Sequence, residues 1–210
     1  LSMMWNFGFL LMAIDRLRNE VVDLALFDDL TGVANRRQFL TRLNEECARS
    51  DRLLQPFAIL AIDLDGFKDT NDSHGHGAGD ECLRVFASAV QERLRGSDLL
   101  ARMGGDEFCV VLPTATAREA ATVARQLLDV CADHPAHWQG AALNIGISIG
   151  IAQWSCGTCA TPEQLMAAAD QALYTAKKQG KSCFATADEP PSGGTDVSPS
   201  PPTAPLLKTA

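Results

Sequence analysis

Two adjacent carboxylates, Asp106 and Glu107, follow a pair of glycines in "RMGGDEFCVVLP" and precede the β-prone run Cys109, Val110, Val111 and Leu112. Leu99, Leu100, Ala101 and Met103 form a second such run, so Gly104 and Gly105 read as the turn of a hairpin. Strand propensity disfavours both acids, and burying an unpaired carboxylate is costly. A cation or a donor is therefore expected opposite them.

A second acidic pair ends the apolar stretch "PFAILAIDLD". Asp63 and Asp65 are two residues apart and share one strand face, a cradle suited to a hard divalent cation such as Mg²⁺ that also takes substrate phosphate oxygens. Asp65 can instead cap the turn that follows. Gly66, Phe67 and Lys68 read as that tight turn, with backbone N–H groups and an ammonium available to an anion. In "NDSHGHGAGDECL", Asn71 and Asp80 lie near a helix start; an amide and a carboxylate together can pair with a guanine edge, although each taken alone reads more readily as a turn or cap residue. His74 and His76 read as residues of the glycine-rich turn rather than as ligands. Lys177 and Lys181 bracket "KKQGK" at a helix end, as compensation of the helix dipole or as clamps for a triphosphate.

These groups need a scaffold, and the pattern supplies one. With 210 residues, 46% of them hydrophobic, the chain suffices for one domain with a core and extra segments. Its net charge of −8 argues against a nucleic-acid polymer as partner. Seven cysteines, mostly in apolar stretches, read as reduced thiols of a cytoplasmic compartment. Cys156 and Cys159 form a CxxC without a second pair, and read as a surface turn. Helices are expected over "RRQFLTRLNEECARSDRL", "GHGAGDECLRVFASAVQERLR", "TAREAATVARQLLDVCADH" and "TPEQLMAAADQALYTAKKQ". Strands are expected over "PFAILAIDLD", the hairpin, "ALNIGISIGIAQ" and "SCFAT". The expectation is an α/β fold with one sheet, made mostly antiparallel by the hairpin and flanked by helices.

The ends read differently. "LSMMWNFGFLLMAI" is apolar but shorter than the roughly twenty residues that span a bilayer, so residues 1–13 are expected to end a truncated transmembrane helix; a core helix or a signal-peptide remnant are the alternatives. Arg16 and Arg18 suit the cytoplasmic side of an inner membrane. Ile14, Leu17, Val21 and Leu24 keep a heptad-like spacing, giving a signalling helix over 14–26 that can pair with a second copy. The main domain is expected over 27–187. Residues 188–210, rich in Pro, Ser and Gly, are expected to be a disordered tail.

The blocks "DDLTGVANRR", "IDLDGFKDTNDSHGHGAGD", "RMGGDEF", "ISIGIA" and "ALYTAKKQGK" stand in the order and spacing of the GGDEF family, and the chain resembles those diguanylate cyclases over residues 26 to 184. The resemblance implies a nucleotidyl-cyclase or polymerase-palm fold and the condensation of two GTP into cyclic di-GMP with release of pyrophosphate, using Mg²⁺ or Mn²⁺. It implies Asp63, the Leu64 carbonyl, Asp106 and Glu107 as metal ligands, and Gly104, Gly105, Asp106 and Glu107 as the catalytic hairpin. It places phosphates on Lys68, Lys177 and Lys181 and guanine on Asn71 and Asp80, with Phe67 a further substrate-binding residue. One GTP per domain requires a homodimer with facing sites. Arg95 and Asp98, an RxxD ending six residues before Gly104, match the family's inhibitory site for cyclic di-GMP; a surface helix end and strand start would use the same residue types. Arg118 or Arg125 would complete that site. The alternative function is a non-catalytic module that binds GTP or cyclic di-GMP.

Overall fold

The computed structural model describes residues 26–155 and 161–187. The expected membrane-helix end at 1–13, nearly all of the expected signalling helix at 14–26, the Cys156/Cys159 pair and the expected tail at 188–210 lie outside the described residues. Among those described, no helix is long and apolar enough to cross a membrane.

The chain runs β1 (Ala34–Asn35), α1 (Arg36–Leu53), β2 (Phe57–Asp65), α2 (Phe67–His74), α3 (His76–Gln91), β3 (Leu99–Gly104), β4 (Glu107–Leu112), α4 (Ala117–Asp133), β5 (Ala136–Trp138), β6 (Ala141–Leu143), β7 (Gly146–Trp154), α5 (Pro162–Lys178) and β8 (Phe184–Thr186). Six strands form one sheet in the order β1-β3-β4-β2-β7-β8, and β5 pairs with β6 in a separate hairpin. The three central pairings are antiparallel and the two edge pairings parallel. This is the helix-flanked, mostly antiparallel sheet expected.

Strand alternation splits the core into two layers. Ala58, Leu60, Ile62 and Leu64 of β2 face one layer with Leu83, Phe86 and Val90 of α3 and Ala120, Ala124 and Leu127 of α4. Phe57, Ile59 and Ala61 face the other, with Phe39 and Leu43 of α1 and Leu165 and Ala169 of α5. That alternation carries Asp63 and Asp65 onto the α5 side, as the next odd positions. Local chemistry starts the helices where they begin. Asn35 accepts from the Gln38 amide at the head of α1, and Thr116–Glu119 and Thr161–Gln164 form capping boxes on α4 and α5. Helix α5 lies so close to β7 that a Cβ on Gly150 would stand 2.1 Å from the Ala169 carbonyl oxygen and 2.2 Å from the Leu173 nitrogen.

Three local readings are corrected. Phe67 and Lys68 belong to a helix rather than a tight turn: Gly66, at φ 78°, is the left-handed residue before α2. The expected strand over 142–153 is two strands, β6 and β7, broken at Asn144 and Ile145, and β5 precedes them. The hairpin turn is also shifted by one residue, because β3 extends to Gly104 and its register slips between Arg102 and Gly104.

Candidate active site

The C-terminal end of β2 brings the predicted acids together. Asp63 is paired in register with Glu107 of β4 on one side and Ser148 of β7 on the other. The Leu64 amide donates to the Asp106 carbonyl at 3.3 Å, fixing the hairpin tip to the strand end. Gly104 and Gly105 have φ values of 149° and 55°, a region L side chains rarely adopt, and a Cβ on either would meet nothing within 4 Å. The tip is thus a backbone that needs glycine and faces open space.

Asp63 is half-buried. Burial, and the neighbouring Asp106 and Asp65 carboxylates, push its carboxyl above the usual range, while Lys177 opposes them. The Lys177 Nζ stands 2.7 Å from Asp63 Oδ2. Crowded, hard oxygen donors of this kind fit a divalent cation, so the acids pass that chemical test. Among the described residues no three His, Cys, Asp or Glu side chains converge as a complete metal cage. Hard carboxylate oxygens that leave part of the shell to phosphate and water are what Mg²⁺ favours.

Asp65 has a different task. It accepts from the Ser148 hydroxyl at 2.9 and 3.0 Å and from the Ser182 amide at 2.9 Å, so it ties β7 to the segment that carries Lys181 rather than capping the turn after β2. Lys181 itself is exposed, at φ 65°, its amide donating to Ala176. Lys68 is exposed on the first turn of α2. The Phe67 ring packs on the core beside Gly79. Asn71 and Asp80 flank Gly79, where α2 meets α3; Asn71 Oδ1 is buried and has no hydrogen-bond partner within the protein. His74 and His76 are exposed, at the α2–α3 junction.

Two residues not singled out in the sequence hold the hairpin. Arg102 donates to the Gly105 carbonyl through Nε at 3.0 Å and Nη2 at 2.8 Å, and through Nη1 to Asp28 at 3.1 and 3.3 Å. Asp28 also accepts from the Thr31 amide and hydroxyl. Burial opposes its charge, but these donors outweigh it and hold its carboxyl below the usual range. The only signal for the pair was their presence in the "DDLTG" and "RMGGDEF" blocks.

The RxxD lies apart, at the turn before β3. Asp98 Oδ2 accepts from the Arg95 amide at 2.9 Å, so the motif closes its own turn. Of the two arginines considered as a third member, Arg125 stands over the Phe184 ring at 5.6 Å, on the β8 edge of the sheet and away from β3. Arg118 is on the first turn of α4, beside Glu119, whose carboxyl is held below its usual range by the Thr116 amide and hydroxyl and, to a smaller extent, by Arg95.

Comparison with known proteins follows the same layout. Residues 25–183 match the family model described as "Diguanylate cyclase, GGDEF domain". The chain is 38% identical over 157 residues to the diguanylate cyclase DgcP of Pseudomonas aeruginosa, covering 75% of this chain and 23% of that protein. It is 38% identical over 173 residues to the response regulator PleD of Caulobacter vibrioides, covering 80% and 38%. The chain therefore spans well under half the length of these relatives. Among solved structures, the GGDEF domain of DgcB from Caulobacter crescentus, in complex with c-di-GMP, superposes with a TM-score of 0.74 at 30% identity, covering 78% of this chain and 96% of that one. A strand end and a glycine hairpin that present Asp63, Asp106 and Glu107 together, matched over most of the described sequence, mean that this chain belongs to the GGDEF diguanylate cyclase domain family.

Proposed function

We propose that this domain is a diguanylate cyclase that condenses two GTP into one cyclic di-GMP and two pyrophosphates. The observation that carries the reading is the meeting of Asp63, Asp106, Glu107 and Lys177 at one strand end beside an open glycine hairpin. In each half-reaction the 3′-hydroxyl oxygen of one GTP bonds to the α-phosphorus of the other, the hydroxyl proton leaves, and the bond to pyrophosphate breaks. A bound Mg²⁺ or Mn²⁺ supplies charge neutralisation at the attacking and leaving oxygens. Asp63, the Leu64 carbonyl, Asp106 and Glu107 would hold the metal, and Asp106 or Glu107 would accept the proton.

Lys68 at the start of α2, Lys177 and Lys181 hold the phosphates, and the backbone of Phe67, Gly104 and Gly105 lies against them. Asn71 and Asp80 read the guanine: the amide offers both a donor and an acceptor, the carboxylate two acceptors. One nucleotide per domain makes the working unit a homodimer across a two-fold axis, and the N-terminal helix, attached to an inner membrane, brings the two cytoplasmic domains together. Cyclic di-GMP binds back at Arg95 and Asp98 and slows turnover. The cyclic di-GMP complex of the DgcB domain supports a guanine dinucleotide as the ligand class. Mass analysis of products from GTP and Mg²⁺ tests the reaction: cyclic di-GMP is expected, and bound but unconverted GTP would contradict it in favour of the binding module.

A further inference from the structure

The first turn of α3 is built weakly for a turn with a demanding place. The heads of α1, α4 and α5 have side-chain caps, whereas α3 starts at Gly75 with no side-chain cap and carries Gly77 and Gly79 within its first turn. Glycine is a poorer helix former than alanine. Asp80 follows at once.

What holds this turn comes from outside it. The indole of Trp138, at the end of β5, lies over Gly77 so closely that a Cβ there would stand 2.7 Å from both Cη2 and Cζ2. Gly77 has no left-handed φ, so its backbone does not require glycine; the ring does. Ala78 is fully buried with Cys82, Ala136 and Leu143 beneath the same hairpin. On the opposite side, a Cβ on Gly79 would run into Asn71 Oδ1. The turn is thus clamped between the indole and α2, and the two groups that read the base sit on either side of the clamp.

We propose that Trp138, seated on Gly77, is a positioning residue for base recognition: it fixes the first turn of α3 and with it the spacing between the Asp80 carboxylate and the Asn71 amide. This rests on the cyclase reading of the same site. Without the ring, an uncapped glycine-rich turn has no lid, and Asp80 loses its register to the purine. Asp63, Glu107 and Lys177, on β2, β4 and α5, lie outside the cluster that holds the indole, so the metal end of the site and the Lys177 phosphate contact stay in place.

The test compares equilibrium binding of the non-cleavable α,β-methylene analogues of GTP and of inosine triphosphate, which lacks the 2-amino group available to Asp80. The native chain is expected to prefer the guanine analogue. Trp138→Ala is expected to lower that preference about tenfold while binding the inosine analogue within about twofold of native, the loss of one buried hydrogen bond to a charged acceptor. Trp138→Phe restores most of the preference. Gly77→Ala, which displaces the ring, reproduces the loss and adds nothing in the Trp138→Ala background; it also carries the test if Trp138→Ala does not fold. A native preference that survives both variants overturns the positioning role alone. A native chain that binds both analogues equally overturns the base-reading assignment, and the positioning role with it.

Discussion

The Lys177 ammonium lies 2.7 Å from the Asp63 carboxylate, joining the last turn of α5 to the end of β2 across the layer between them. Helix C-termini favour cations, and the close seat of α5 on Gly150 places this one over the strand end. Asp63 thereby has a protein cation as partner, and on the proposed reading a metal would compete with it. Lys177→Met is expected to tighten Mg²⁺ binding without nucleotide, by several-fold, and to weaken GTP binding about tenfold through loss of a phosphate contact. Parallel titrations with Mg²⁺ alone and with the methylene analogue of GTP check both signs. Weaker binding in both would mean that Lys177 only orders the strand end.

Gly150 gives a stability prediction of its own. A methyl group there meets backbone atoms of α5 at 2.1 and 2.2 Å, and backbone cannot rotate aside. Gly150→Ala should cost about 3 kcal/mol or more, lowering the thermal midpoint by roughly 6 to 12 °C. An unchanged midpoint would show that α5 can shift away from the sheet at little cost.

The Asp28–Arg102–Gly105 chain predicts a pH-dependent stability. The Asp28 carboxyl is held below its ordinary value of 3.8, so the stabilisation it brings is fully present above that pH and is lost as pH falls through the lowered folded value. Asp28→Asn should therefore cost about 1–3 kcal/mol at neutral pH. The gap to the native chain should close only in strong acid. Urea melts at several pH values read this directly; a gap that shrinks near pH 6 would point to another group.

The sequence made the sheet and the acids legible because strong period-two and period-3.6 patterns surround them. Asp63 with Ile59 and Ala61, and Glu107 ahead of an apolar run, leave little choice of face. Helix α2 was hidden because "FKDTNDSH" is short and polar, with no fully buried residue to mark a stripe. The β5–β6 hairpin escaped for a similar reason: three-residue strands carry no usable period, and the meaning of Trp138 lies in a partner about sixty residues earlier. Asp65 shares a strand face with Asp63, and the sequence offered it as a cap of the next turn. Only the tertiary neighbours, Ser148 and Ser182, reveal that it instead ties β7 to the Lys181 segment.

At the RxxD turn, the Asp98 carboxylate is already engaged by the Arg95 amide, whereas Arg95 is an exposed residue whose guanidinium charge acts on Glu119. Arg95→Ala should accordingly relieve inhibition by added cyclic di-GMP, raising the half-inhibitory concentration at least about tenfold with the initial rate little changed. Asp98→Ala would loosen the turn as well as the site, and is the poorer probe. Equal inhibition of the native and Arg95→Ala chains would remove this turn from regulation.

Activity as a function of protein concentration addresses the central claim most directly. The purified chain would be incubated with GTP and Mg²⁺ at several concentrations, products identified by mass, beside an Asp106→Asn, Glu107→Gln control. The account predicts cyclic di-GMP at a rate that rises faster than linearly with protein and is lost in the control. GTP left unconverted at every concentration, or product formed equally well by the control, would contradict it.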